Sequence, residues 1–257
     1  MSGAGKLIGI GIGPGDPELL TIKGLNAWRA APVLAYPAPD DGESLARQIV
    51  SPYLDGHHQE ICIRMPMVSA RFPAQEVYEW AAGEIRTHLD AGRDVACLCE
   101  GDPFVYGSFA FLFARVIETH RVEVIPGVSS VTACAAAVGA PLATRNDVFG
   151  IVPATLDANE LRERIGAFDA VAIIKVGRHL AKVRHVLAGL GRASSARYVE
   201  RATMPNQRAM PLEAIEGDQA PYFSMVLVHR RGLAWHDDDG RTVGVDERRS
   251  QGASRER

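Results

Sequence analysis

Short apolar runs alternate along this chain with longer segments of helical spacing. Leu7–Ile12, Val33–Tyr36, Glu60–Met65, Val95–Cys99 and Val122–Ile125 read as strands, and the second of them is cut short by Pro37 and Pro39. The run at Val95–Cys99 is continuously apolar, the pattern of a strand buried on both faces. Between these runs, Leu19–Ala30, Ala74–Ala91 and Ser108–Thr119 have helical spacing, with Val77, Trp80, Ile85 and Leu89 marking one side of the second helix. Thr132–Ala140 is a helix of small residues. A polar break at Thr144–Asp147 then reads as a hinge. Beyond it come a strand at Val148–Val152, a helix at Glu160–Ile165, a strand at Ala170–Ile174, a helix at His179–Leu190, and strands at Tyr198–Thr203 and Tyr222–Val228. This alternation predicts an α/β fold with largely parallel sheets. It divides into two α/β domains in tandem, residues 1–143 and 144–235. From His236 the chain is charged and poor in apolar residues, so 236–257 reads as a disordered tail that cannot offset its ordering entropy.

Several of the strand ends carry unusual turns. The first strand runs into Gly13-Pro14-Gly15-Asp16-Pro17. This is not a dinucleotide fingerprint, which needs a third glycine opening directly into a helix. Pro14 and Pro17 each remove a backbone donor, and Asp16 adds a negative charge, so the loop suits a neutral or positive group. The strand at Val95–Cys99 ends in Glu100-Gly101-Asp102-Pro103, followed by Phe104-Val105-Tyr106-Gly107, and Val122–Ile125 ends in Pro126-Gly127-Val128-Ser129-Ser130. Ligands of open α/β sheets bind at the carboxyl ends of strands. Gly101 permits close backbone approach. Asp102 can accept hydrogen bonds from a ligand, fix its own loop or cap a helix, and Ser129 and Ser130 can bond a ligand or cap the small-residue helix.

Composition narrows the classes. The 257 residues carry a net charge of −3 and a pI near 6.2, which argues against a general nucleic-acid footprint. No apolar run approaches a membrane span and no secretory signal stands at the N-terminus, so the expectation is a cytoplasmic chain without a membrane partner. Cys62, Cys97, Cys99 and Cys134 form no C-x-x-C pair and read as small buried apolar residues. His57-His58 reads as a solvated turn, and no metal site is expected.

The three loops, GIGPGDPELLT, EGDPFVYGS and VIPGVSSVTACAAAVGAPLA, resemble in order and spacing the signatures of the tetrapyrrole methylases, S-adenosylmethionine (SAM) enzymes of sirohaem and cobalamin synthesis. The resemblance covers roughly residues 5–230, and AYPAP at Ala35–Pro39, CEGDPF and SSVTACAAA are most like the branch acting at C(20) of precorrin-2. It implies a ligand pocket between two domains, SAM as methyl donor, a small-molecule tetrapyrrole as acceptor, no nucleic acid and a homodimer. By carry-over, SAM would meet Pro14, Glu100, Gly101, Asp102, Val105, Ser129 and Ser130, and in the second domain Val176 and Ala202. Relatives often have Met where this chain has Val176. The acceptor's carboxylates would need bases, drawn from Arg64, Arg71, Arg145, Lys175, Arg178 and Arg201; Lys175, Arg178 and Arg201 are singled out, the first two because they flank a strand end. The implied reaction is an in-line displacement in which an enamine-like meso carbon attacks the sulfonium methyl. Alignment alone serves such a step, and the sequence shows no acid/base pair for it. Sister methylases acting on cobalt-precorrin-2 or uroporphyrinogen III, methylases of RNA or protein, and a non-catalytic SAM-binding protein are the alternatives.

Overall fold

A computed structural model describes residues 3–65 and 71–231; the expected tail at 236–257 lies outside them. The chain forms two compact units. One runs to Ser130 and takes in Thr203–Pro205, and the other holds Val131–Ala202 and the chain from Asn206 onward.

The first unit is built on β1 (Lys6–Gly11), β2 (Val33–Pro39), β3 (Gln59–Met65), β4 (Val95–Cys99) and β5 (Arg121–Ile125), in the order β3-β2-β4-β1-β5. Every pairing is parallel, as the alternation predicts. Side chains alternate between the faces. Leu7, Val33, Ala35, Ile63, Cys97 and Cys99 pack against α3 (Arg71–Asp90) and α4 (Phe109–Val116). Ile8, Ile10, Leu34, Tyr36, Ala96 and Leu98 pack against α1 (Ile22–Ala30) and α2 (Leu45–Val50). Each fully buried Leu or Ile contributes about 1.5–3 kcal/mol. Gly9 is kept free of a side chain by packing, since a Cβ there would sit 2.4 Å from the Phe109 ring.

Three expectations need correction here. The first helix does not start at Leu19; a 3-10 turn at Pro17–Leu19 comes first, and α1 begins after Thr21, whose hydroxyl accepts from the Gly24 N–H. Trp80 is 51% exposed, and the buried stripe of α3 is Tyr78, Ala81, Ala82, Ile85 and Leu89, which keeps the helical spacing one step away from Trp80. Pro37 and Pro39 do not end β2. The Pro32 carbonyl accepts from Gln59, so alternate residues face β3, and both prolines face the other edge, where pairing with β4 stops at Ala35. Their missing N–H groups cost no ladder bond.

The second unit holds β6 (Phe149–Pro153), β7 (Ala170–Ile174), β8 (Arg197–Glu200), β9 (Arg208–Pro211) and β10 (Ser224–His229), in the order β6-β7-β10-β8-β9. Only β6 and β7 are parallel; β10 enters antiparallel to both β7 and β8, and β8 and β9 are antiparallel. The parallel expectation therefore fails for this sheet. An apolar run reports burial on both faces, which β7 and β10 have, and says nothing of direction. One face packs on α6 (Ala158–Ala167) and α7 (Leu180–Gly189), the other on α5 (Ser130–Val138) through Val131, Ala133, Cys134 and Ala135. That packing brings the small-residue helix into the second unit, so the division by compactness falls at Ser130, ahead of the polar stretch at Thr144–Asp147. Among the described residues no helix is long and apolar enough to cross a membrane.

Candidate functional site

β4, β1 and β5 are neighbours in one parallel sheet, so their carboxyl-end loops meet. They meet backbone to backbone. The Ile12 N–H donates to the Cys99 carbonyl at 3.0 Å, and Gly13 and Gly101 form a small antiparallel bridge in which the Gly101 N–H donates to the Gly13 carbonyl at 2.8 Å. Gly127 lies across this bridge. A Cβ on Gly127 would come within 2.2 Å of the Gly101 carbonyl oxygen and 2.6 Å of the Gly11 Cα, and one on Gly11 would sit 2.4 Å from the Gly127 nitrogen. No side chain fits at either position. Gly13 (φ +81°) and Gly101 (φ +67°) also adopt left-handed backbone.

Asp102 ties the junction together. Its Oδ2 accepts from the Gly127 N–H at 3.0 Å and its Oδ1 from the Phe104 N–H at 2.9 Å. It caps no helix: α4 starts after Ser108. Of the roles open to it in the sequence, the structure displays the loop-fixing one. Asp16 is also engaged locally, with Oδ1 accepting from the Glu18 N–H at 2.8 Å and its own N–H donating to Thr203 Oγ1 at 3.0 Å. Pro14 and Gly101 are buried, Asp102 and Ser129 half-buried, and Val105 and Ser130 exposed. A Cβ placed on Gly101 would make ordinary van der Waals contact with the third loop, 3.7 Å from the Ser130 nitrogen and 3.8 Å from the Val128 carbonyl oxygen, so its left-handed φ rather than crowding is what asks for glycine there. Glu100, which opens the second loop, is half-buried, and burial pushes its carboxyl above the ordinary glutamate range, against the pull of backbone N–H groups at Glu100 and Ala46.

In the second unit, β7 and β8 likewise end in left-handed residues, Lys175 (φ +57°) and Arg201 (φ +50°). The Val176 side chain is wholly buried in that unit's core, and Ala202 is 7% exposed. Lys175 and Arg178 are exposed. Arg201 is ion-paired at 3.1 Å with Glu200, a carboxylate 3% exposed that also accepts from Tyr198 Oη at 2.5 Å and lies 3.4 Å from Arg208. Arg64, on β3, donates to the carbonyls of Pro39 and Asp40, which commits it to the segment at the end of β2. The Arg71 side chain lies outside the described residues. Sequence reading missed Gly11 and Gly127 as the crossing point, although both sit in the quoted motifs; their demand is mutual, and no single loop displays it. It also missed Glu200, the buried anchor of Arg201, which only strand register reveals.

The family description "Tetrapyrrole (Corrin/Porphyrin) Methylases" matches residues 6–216. A Sinorhizobium protein named precorrin-2 C(20)-methyltransferase is 41% identical over 234 residues, covering 88% of this chain and 96% of its own. The cobalamin biosynthesis protein CobIJ of Mycobacterium bovis is 39% identical over 244 residues, 91% of this chain and 48% of that longer protein. Among solved structures, uroporphyrin-III C-methyl transferase from Thermus thermophilus, complexed with S-adenyl homocysteine, superposes with a TM-score of 0.65 at 25% identity, covering 87% of this chain and 97% of its own.

The crossing makes a stability prediction with an internal control. Gly127→Ala forces backbone apart and is expected to cost about 1–3 kcal/mol or more. Gly83→Ala in α3, where a Cβ meets nothing within 4 Å, is expected to stabilise by about 0.5–1 kcal/mol. Urea unfolding of the two variants checks both signs. A second prediction concerns Glu100. A carboxyl whose folded pKa is raised binds more protons in the folded state, so stability falls as pH rises from the ordinary glutamate range through the raised value. Glu100→Gln removes that dependence. Its melting temperature is expected to exceed that of the parent protein at neutral pH and to converge with it on acidification, in parallel thermal scans.

Proposed function

The chain belongs to the tetrapyrrole (corrin/porphyrin) methylases, and from that premise we propose that it methylates C(20) of precorrin-2, yielding precorrin-3A in cobalamin biosynthesis. The methyl donor is SAM, which supplies an electrophilic methyl group on a sulfonium.

The observation that carries the reading at residue level is the three-loop junction of the first unit. Its glycines bring the backbone of all three loops together, and what lies nearest Gly101 is the backbone of Val128, Ser129 and Ser130 rather than a side chain. Its side chains carry Asp16, Glu100 and Asp102, and Pro14 and Pro17 withhold donors, which suits a sulfonium far better than a phosphate. We assign SAM contact to Pro14, Glu100, Gly101, Asp102, Val105, Ser129 and Ser130. The Asp102 carboxylate is also engaged by the Gly127 and Phe104 N–H groups, so besides its assigned contact it holds the loops at fixed spacing. Val176 and Ala202 complete the assignment through their backbones, since both side chains are buried.

Direct transfer fits the thiols as well. Burial pushes Cys134 up to about 12 and raises Cys99 well above its ordinary value, so neither offers a thiolate at neutral pH. The chain's work is to bind, orient and exclude water, and orientation of this kind can supply roughly 7–11 kcal/mol. Lys175 and Arg178 are assigned to acceptor carboxylates. Arg201 keeps that assignment as a paired base, held by Glu200. The homodimer is part of this reading and rests on family kinship.

The test is an anaerobic assay with SAM and one of three acceptors: metal-free precorrin-2, cobalt-precorrin-2 or uroporphyrinogen III. Precorrin-2 is expected to gain one methyl group at C(20), with kcat/KM at least about tenfold above either alternative, a transition-state preference of ~1.4 kcal/mol. Preference for cobalt-precorrin-2 would move the assignment to the metal-bearing substrate, and preference for uroporphyrinogen III would overturn the C(20) assignment.

A further inference from the structure

A second cluster lies on the first unit in the turn Asp55-Gly56-His57-His58, which leads into β3. One potential ligand atom from each of Asp55, His57 and His58 lies within 4.8 Å of the other two. The local geometry prepares them. Gly56 adopts φ +82°, which folds the turn, and the His57 backbone N–H donates to Asp55 Oδ1 at 3.3 Å, which orients the carboxylate. The His57 ring meets the same oxygen through Nδ1, and the two imidazoles lie with centroids 3.8 Å apart.

His58 is the informative member. Its side chain is only 2% exposed, and its Nε2 lies 3.2 Å from the Trp28 carbonyl, a group that can only accept. Nε2 therefore donates to it, and in the neutral ring Nδ1 holds the lone pair. That Nδ1 is buried without a hydrogen-bond partner and points toward Asp55, 3.9 Å from Oδ1. A buried acceptor left unsatisfied calls for an explanation. A metal-ligating histidine has this arrangement: one ring nitrogen donates to a backbone carbonyl, which sets the tautomer, and the other faces the ion.

We propose that Asp55, His57 and His58 form a binding site for a divalent late-transition ion, zinc being the ion best suited to two imidazoles and a carboxylate, with water completing a four-coordinate shell. The expectation of a plain solvated turn from the sequence does not account for the buried, unpartnered Nδ1. Forming bonds of about 2.0–2.2 Å requires the exposed Asp55 and His57 to close on the fixed His58, which an exposed glycine turn allows. The bound ion would clamp the turn before β3 to the carboxyl end of α1, through His58 and Trp28. The site is separate from the strand-end loops assigned to SAM.

The test uses the untagged full chain, stripped with chelator and titrated with Zn2+ by calorimetry. One ion per chain is expected, with Kd on the order of micromolar. Asp55→Asn and His57→Ala change exposed positions and are each expected to weaken binding at least about tenfold, while methyl transfer by the metal-free variants stays at the level of the metal-free parent. His58 is buried, so its role is read without mutation: long-range 1H–15N NMR should show its Nδ1 resonance shifting with zinc while Nε2 stays protonated. Zinc binding unchanged in both variants, a His58 Nδ1 indifferent to zinc, or no binding at millimolar Zn2+ would overturn the proposal.

Discussion

The structure of the first unit depends on backbone passing within van der Waals contact of backbone at Gly11, Gly101 and Gly127. Three neighbouring parallel strands deliver their loops to one place, and the loops can interlock only where side chains are absent. The Gly13–Gly101 bridge and the Asp102 carboxylate then hold the spacing. Such a junction is rigid because its parts constrain one another. Fixed geometry of this kind is what direct methyl transfer requires, since donor and acceptor have to be held still and aligned.

The second unit answers a different need with similar local chemistry. Its strands also end in left-handed residues, at Lys175 and Arg201, and these carry the bases that the sequence nominates for acceptor carboxylates. Glu200 buried beside Arg201 shows one such base held in place by a carboxylate with its own hydroxyl partner, Tyr198. Removing one partner of a buried carboxylate's ion pair is costly, which gives Arg201 a structural part whatever it binds.

Much of this was legible in the sequence, for identifiable reasons. The all-parallel first sheet followed from apolar runs alternating with helical spacing, and the three loops were found because Pro, Gly and Asp cluster where strands end. The member of the family was legible in the same motifs, and the comparisons agree with it. What escaped has one cause: it depends on partners distant in sequence. The direction of β10 is set by its insertion between β7 and β8. Trp80 shares the general spacing of the buried stripe of α3 but lies off it by one position. The tolerance of Pro37 and Pro39 comes from the point at which β4 stops pairing. Cys134 is the small buried residue its sequence context suggests, but only the second unit's core explains why its helix is made of small residues.

The central claim is that the three strand-end loops of the first unit hold SAM. Amide hydrogen exchange of the full chain with and without SAM tests it directly. The account predicts slowed exchange in residues 11–16, 100–107 and 127–131, the loops joined at the glycine crossing. Saturating SAM that leaves all three segments unchanged while protecting amides elsewhere would contradict it.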